Sequence, residues 1–203
     1  IASAIKMIAN FRCAGIVPFC YDGTKVCLLL RPAVPPPPPG APPPQQAPPP
    51  AFKEFGGPRE EGGSDPAVSA AKHFLAAITG GAVPPEPESV AAIQKYIEEH
   101  DGKDSFLFYN TQQEYAVYFI QMVREIPVAI PCNWVPVELV KQYYDQPGFF
   151  NPRLIFDDVP GFKDWICKTE ARLKATGGTP WMPPVPMPEV FAEKEEGTAA
   201  DPE

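Results

Sequence analysis

The sequence predicts an α/β protein, with a mixed sheet flanked by helices, and three observations carry that reading. Two apolar runs, "CAGIVPFCY" (13–21) and "KVCLLLRPA" (25–33), meet at "DGT". Asp-Gly between apolar runs is a hairpin signal. "AFKEF" (51–55) reads as a short strand ending at Gly56-Gly57, and an acidic loop then leads into a capped helix. Further on, β-rich and helical segments follow one another.

The helix over 65–79 has Ser64 or Asp65 as its cap and Pro66 in its first turn, where a missing N–H costs nothing. Val68, Ala71, Leu75 and Ile78 recur at helical spacing, and Gly80-Gly81 ends it. "PESVAAIQKYIEEH" (87–100) is a second helix. "SFLFYN" (105–110) and "EYAVYFIQMV" (114–123) are β-rich and separated by a polar turn, which predicts a hairpin. Residues 136–145 and 159–178 read as helices, the latter with Phe162, Ile166 and Leu173 among its apolar contacts. There is no internal repeat.

Three segments stand apart. Residues 1–11 read as a short apolar helix or an arm packed on a neighbour. In 35–50, "PPPPPGAPPPQQAPPP", eleven of sixteen residues are Pro. Pro fixes φ and lacks an N–H, so polyproline II is expected there. Too little chain precedes this run for it to link two domains, so it reads as a long insertion in a strand-to-strand loop. From 177 to 203, Pro, Glu and Gly dominate, which suits an arm or tail rather than a core. The expected organisation is therefore an arm at 1–11, one domain over 12–176 and a tail at 177–203.

Composition narrows the function. With 203 residues and 44% hydrophobic content, one sizeable core is possible. A net charge of −8 argues against nucleic acid as a primary partner. No apolar run approaches the roughly 18–20 residues of a membrane span. Five cysteines, Cys13, Cys20, Cys27, Cys132 and Cys167, include no C-x-x-C pair and read as buried reduced thiols. With only His73 and His100 beside them, zinc-ligand spacing is missing. An odd count favours an intracellular, reducing compartment. The first residue is Ile1, not Met; a presequence for import into an organelle such as the mitochondrion is one candidate explanation.

"AGIVPF", "LLLR" and then "EFGG", "RE", "GGSDP" and "AAKHFL" together resemble the Nudix hydrolase family over roughly residues 12–176. The resemblance implies an α/β/α sandwich. The family's box reads G-x5-E-x7-R-E-U-x-E-E-x-G-U, where U is bulky and apolar. Gly57 fits the opening glycine. With one residue inserted in the acidic loop, Lys72 takes the arginine position and His73 that of the first glutamate. Ala76 and Ala77 take the paired glutamates, and Gly80 falls near the closing glycine. In the family these carboxylates hold Mg²⁺ or Mn²⁺, a hard cation that prefers oxygen and activates water against a diphosphate. Here residues 68–79 contain no acid in any register. The box is degenerate, and neither a metal nor another cofactor is expected.

Acids elsewhere are Glu60, Glu61 and Asp65 beside the helix N-terminus, and Glu114, Asp157 and Asp158 downstream. They read as solvated or capping groups; a site rebuilt from Glu60, Glu61 and Glu114 is the alternative. Lys72 is placed to pair with Glu60 or Glu61, while His73 has no partner acid that would make it a general base. Trp134, Trp165 and Trp181 read as core or interface rather than stacking platforms. The tail segment "TPWMPPVPMPEVF" (179–191) carries apolar anchors that dock either on another subunit or on their own domain. The function expected is a catalytically inactive accessory or structural subunit of a larger protein assembly. The alternatives are an active nucleoside diphosphate-X hydrolase with displaced acids, and a ligand- or peptide-binding module, the proline run being a possible SH3 or WW ligand.

Overall fold

β1 (Cys13–Tyr21) is the strand around which the sheet is ordered. The structure, a computed structural model, describes residues 10–32, 52–81, 84–141, 159–178 and 180–184. Along one edge β1 runs parallel to β6 (Tyr115–Gln121), with Gly15 opposite Val117. Its other edge is shared. The C-terminal half pairs with β2 (Val26–Pro32), the N-terminal half with β4 (Phe55–Pro58), both antiparallel. β3 (Phe52–Lys53) and β7 (Asn133–Pro136) pair with β2, and β5 (Ser105–Asn110) pairs with β6. The described residues thus form one mixed sheet of seven strands.

A strand buried on both faces alternates its partners with period two. In β1, Ala14 and Ile16 enter one core, Val17 and Phe19 the other. The first core is closed by α1 (Pro66–Ile78) and α2 (Pro87–Glu99), through Phe74, Leu75, Ile93 and Ile97. The second is closed by α4 (Val159–Thr176), whose Phe162, Trp165, Ile166 and Leu173 pack with Phe19 and Phe119. Helices therefore cover both faces of the sheet. α3 (Val137–Lys141) follows β7 directly.

Several elements stand where the sequence puts them. Asp22 holds the β1–β2 turn, its Oδ1 accepting from the Thr24 and Lys25 amides at 2.9 Å, with Gly23 at φ 94. Asp65 is the cap of α1, accepting from the Ala67 amide at 2.8 Å and the Val68 amide at 3.4 Å. β2 and β3 are antiparallel neighbours, with Pro32 opposite Phe52, so residues 33–51 join adjacent strands. The proline run itself, residues 1–9, and Asp157 and Asp158 lie outside the described residues. Cys20 and Cys27 are buried.

Other expectations need correction. The strand expected to stop at Gly56-Gly57 instead breaks at Glu54 and resumes as β4 through both glycines. Those glycines pair with Gly15 and Ala14 of β1, and that tertiary pairing outweighs their poor strand propensity. Val68 is half-buried; Ala67, Ala70 and Phe74 supply the core face of α1 beside Ala71, Leu75 and Ile78. β7 falls in a segment with prolines at 131 and 136 that shows no strand pattern of its own. Cys13 and Cys132 are half-buried and Cys167 is exposed, not buried.

The tail is tied to the domain at Trp181. Its N–H donates to the Gln121 carbonyl at 3.3 Å, and the Val123 N–H donates to the Trp181 carbonyl at 3.0 Å. The indole stacks on Tyr96 at 4.2 Å and 11°, and Tyr96 also stacks with His100 at 4.0 Å. Of the two dockings open from sequence, Trp181 takes the one on its own domain; Met182 beside it is exposed. Trp165 is core, and Trp134 packs against the first core.

Truncation after Gly178 removes the Trp181 stack and its strand-like bonds. It is expected to lower the melting temperature of the isolated protein by several degrees, at about 2–4 °C per kcal/mol for a chain of this size. An unchanged melting temperature would show that the segment adds nothing to the domain.

Candidate functional site

The junction from β4 into α1 is built around close backbone approach. Gly15 and Gly56 face each other across β1 and β4. A Cβ on Gly15 would stand 2.6 Å from the Tyr115 hydroxyl and 2.9 Å from the Gly56 Cα. The space these glycines leave lets the Tyr115 hydroxyl donate to Glu54 Oε1 in a short hydrogen bond. Glu54 is fully buried, and its Oε2 has no hydrogen-bond partner among the described residues. Arg31 straps the same corner from β2. Its Nε donates to the Glu54 carbonyl at 2.9 Å and its Nη2 to the Gly56 carbonyl at 3.3 Å.

Gly57 is the next step. A Cβ there would meet the His73 ring at 2.6 Å, so glycine is what allows the imidazole to lie on the strand. His73 Nε2 is 2.7 Å from the Pro58 carbonyl. A carbonyl only accepts, so Nε2 is the protonated nitrogen. One helical turn of α1 is thereby pinned to β4. Lys72 makes a second tie, its Nζ 2.6 Å from Glu60 Oε2, which holds the loop over the helix. Both partners are substantially exposed, so this tie is worth about 1 kcal/mol or less.

Ala76 and Ala77 sit one turn on, half-buried, with Ala77 packed against the first core. Their carbonyls are occupied by the end of the helix: Gly80 N–H donates to Ala77 at 3.2 Å and Gly81 N–H to Ala76 at 2.7 Å. Gly80 and Gly81 both adopt φ +72, the left-handed region that favours glycine at a helix end. Positions 73, 76 and 77 share one face, as their spacing requires. That face carries an imidazole tied to a strand and two methyl groups.

The acids named as alternatives are dispersed. Glu60 is engaged by Lys72. Asp65 caps α1 and accepts from Gln94 Nε2 at 2.9 Å. Glu114, at φ 50 in the β5–β6 turn, pairs with Arg12 at 3.6 Å. Glu61 is exposed. Among the described residues no three His, Cys, Asp or Glu side chains converge to hold a metal ion. What the arrangement does chemically is hold β4, its loop and α1 in one geometry.

Sequence reasoning missed Arg31, Glu54 and Tyr115. Glu54 lies between Lys53 and Phe55, where alternation marks neither face clearly, and only the fold brings Tyr115 to it across sixty-one residues of chain.

The packing of His73 on Gly57 is measurable by a double-mutant cycle. Gly57→Ala is expected to destabilise by about 1–3 kcal/mol through overpacking, and His73→Ala by about 1 kcal/mol through the lost bond. Combined, they should cost less than the sum by at least ~0.5 kcal/mol, because removing the ring removes the clash. Strict additivity in denaturant unfolding would mean that the ring does not lie on Gly57.

Comparison of the chain with protein-family models, with curated proteins and with solved structures gives no match.

Proposed function

We propose that this chain is a Nudix-like protein without hydrolase chemistry that serves as an accessory or structural subunit of a larger protein assembly. The observation that carries the reading is the face of α1. In a Nudix box it would present carboxylates to a divalent cation. Here its polar group, His73, is bonded to the Pro58 carbonyl, and Ala76 and Ala77 offer methyl groups. Magnesium and manganese take oxygen ligands, and a protonated Nε2 committed to a carbonyl is no substitute. The loop acid Glu60 neutralises Lys72. The loop-to-helix architecture is thus kept as a brace.

The assembly part of the reading rests on the degenerate box, the proline-rich insertion and the long termini of the sequence. Trp181 does not add to it, because it docks within its own domain. A reducing, intracellular location, with the mitochondrion as one candidate, belongs to the same proposal.

Two readouts on the native protein test it together. Sizing the protein from its source should place it in a complex much larger than one chain. Supplying Mg²⁺ or Mn²⁺ with nucleoside diphosphate-linked substrates to the purified protein should give no turnover. Metal-dependent release of a nucleoside monophosphate would overturn the inactive reading, and migration as a free monomer would overturn the subunit reading.

A further inference from the structure

The β1–β2 hairpin brings two cysteines into direct register. Cys20 of β1 stands opposite Cys27 of β2. Partners directly opposite in an antiparallel pair project from the same face, with Cα atoms about 4.5–5.5 Å apart. That separation lies in the window a disulfide spans, roughly 4.4–6.8 Å. The neighbours confirm the facing. Phe19 on β1 and Val26 and Leu28 on β2 all enter the second core, so Cys20 and Cys27 both turn to the opposite side. Both are buried and both are free thiols.

We propose that Cys20 and Cys27 form a cross-strand dithiol that closes to a disulfide by exchange with a small-molecule disulfide, a modification site that locks the β1–β2 hairpin. Cys27 attacks first. At rest its Sγ–H donates to Asp22 Oδ2 at 3.7 Å; when the hairpin end opens, that proton passes to solvent. As a thiolate, Cys27 breaks the S–S bond of the oxidant, forming a mixed disulfide and expelling one small thiol. Cys20 then gives up its proton and attacks the Cys27 sulfur, and the second small thiol leaves. The protein loses two protons and two electrons, and the oxidant gains both as two thiols.

The same surroundings keep the pair reduced at rest. Burial, then the neighbouring Cys27, pushes the Cys20 thiol up to about 12. Burial, then the Asp22 carboxylate, pushes Cys27 up to about 11. Arg124 and Lys25 act against these shifts, and Glu125 adds to that on Cys20. Only a thiolate attacks, so exchange waits for the hairpin end to open. The pair sits just beyond Tyr21–Val26, the last register pair before the exposed Gly23-Thr24 turn.

The test uses the full chain as isolated under reducing conditions. It is incubated with oxidised glutathione, alkylated in denaturant, and cleaved after Lys25, which lies between the two cysteines. The expected product is a linked pair of fragments, lighter by two hydrogens than their sum, with fragmentation assigning the link to Cys20 and Cys27 and not to Cys13. In Cys20→Ser, closure is blocked, and Cys27 is expected to retain the glutathione adduct. Complete alkylation of both Cys20 and Cys27 after prolonged incubation of the unmodified chain would overturn the proposal, as would linkage of either to Cys13, Cys132 or Cys167.

Discussion

The close contact of β1 with β4 at Gly15 and Gly56 is the constraint on which the rest of the site depends. Neither position has room for a side chain, because the Tyr115 hydroxyl occupies the space on its way to Glu54. This buried phenol–carboxylate bond ties Glu54, the residue that leads into β4, to β6 across the intervening β1. Arg31 adds a strap from β2 to the carbonyls of the same segment. With β4 held at this depth, Gly57 receives the His73 ring, Pro58 presents its carbonyl to Nε2, and the orientation of α1 follows. The helix is positioned from the strand outward.

Magnitudes rank these ties. The Lys72–Glu60 pair is exposed and short, but solvent screening leaves it worth about 1 kcal/mol or less. The His73 bond to Pro58 is in the ordinary range, about 0.5–1.5 kcal/mol. Losing the Tyr115 hydroxyl would strand a fully buried carboxyl, a loss of about 1–3 kcal/mol or more. Taken together the apolar anchors outweigh these: Phe74, Leu75 and Ile78 each contribute on the order of 1.5–3 kcal/mol by burial. The polar ties therefore set the geometry of the junction more than its stability. His73 thus serves registry between α1 and β4.

Local signals made much of this legible. The Asp-Gly turn, the Asp65 cap with Pro66 behind it, and the β-rich β5–β6 pair each carry their information within a few residues, and each is found as read. The absence of acids from residues 68–79 was equally plain, and so was the pairing of Lys72 with the loop. What escaped depends on distant chain. Gly56-Gly57 looks like a strand terminator until Gly15 and Tyr115 are brought against it. Glu54 shows no clear face in the sequence, and its burial beside Tyr115 follows only from the fold. β7 is short and bounded by proline, and exists because β2 offers it an edge. Trp181 leaves both dockings open in the sequence because its own partner, Tyr96, lies eighty-five residues earlier on α2.

Whether the face of α1 engages a divalent cation separates a brace from a metal site. Paramagnetic broadening of backbone amide signals by Mn²⁺ reads this directly, position by position and without reference to any substrate. If His73 is a brace and Ala76 and Ala77 are inert, their amides should broaden no more than exposed amides elsewhere in the chain. Selective loss of the His73, Ala76 and Ala77 signals at low Mn²⁺, reversed by a chelator, would show that this face holds a metal ion and that His73 is no mere brace.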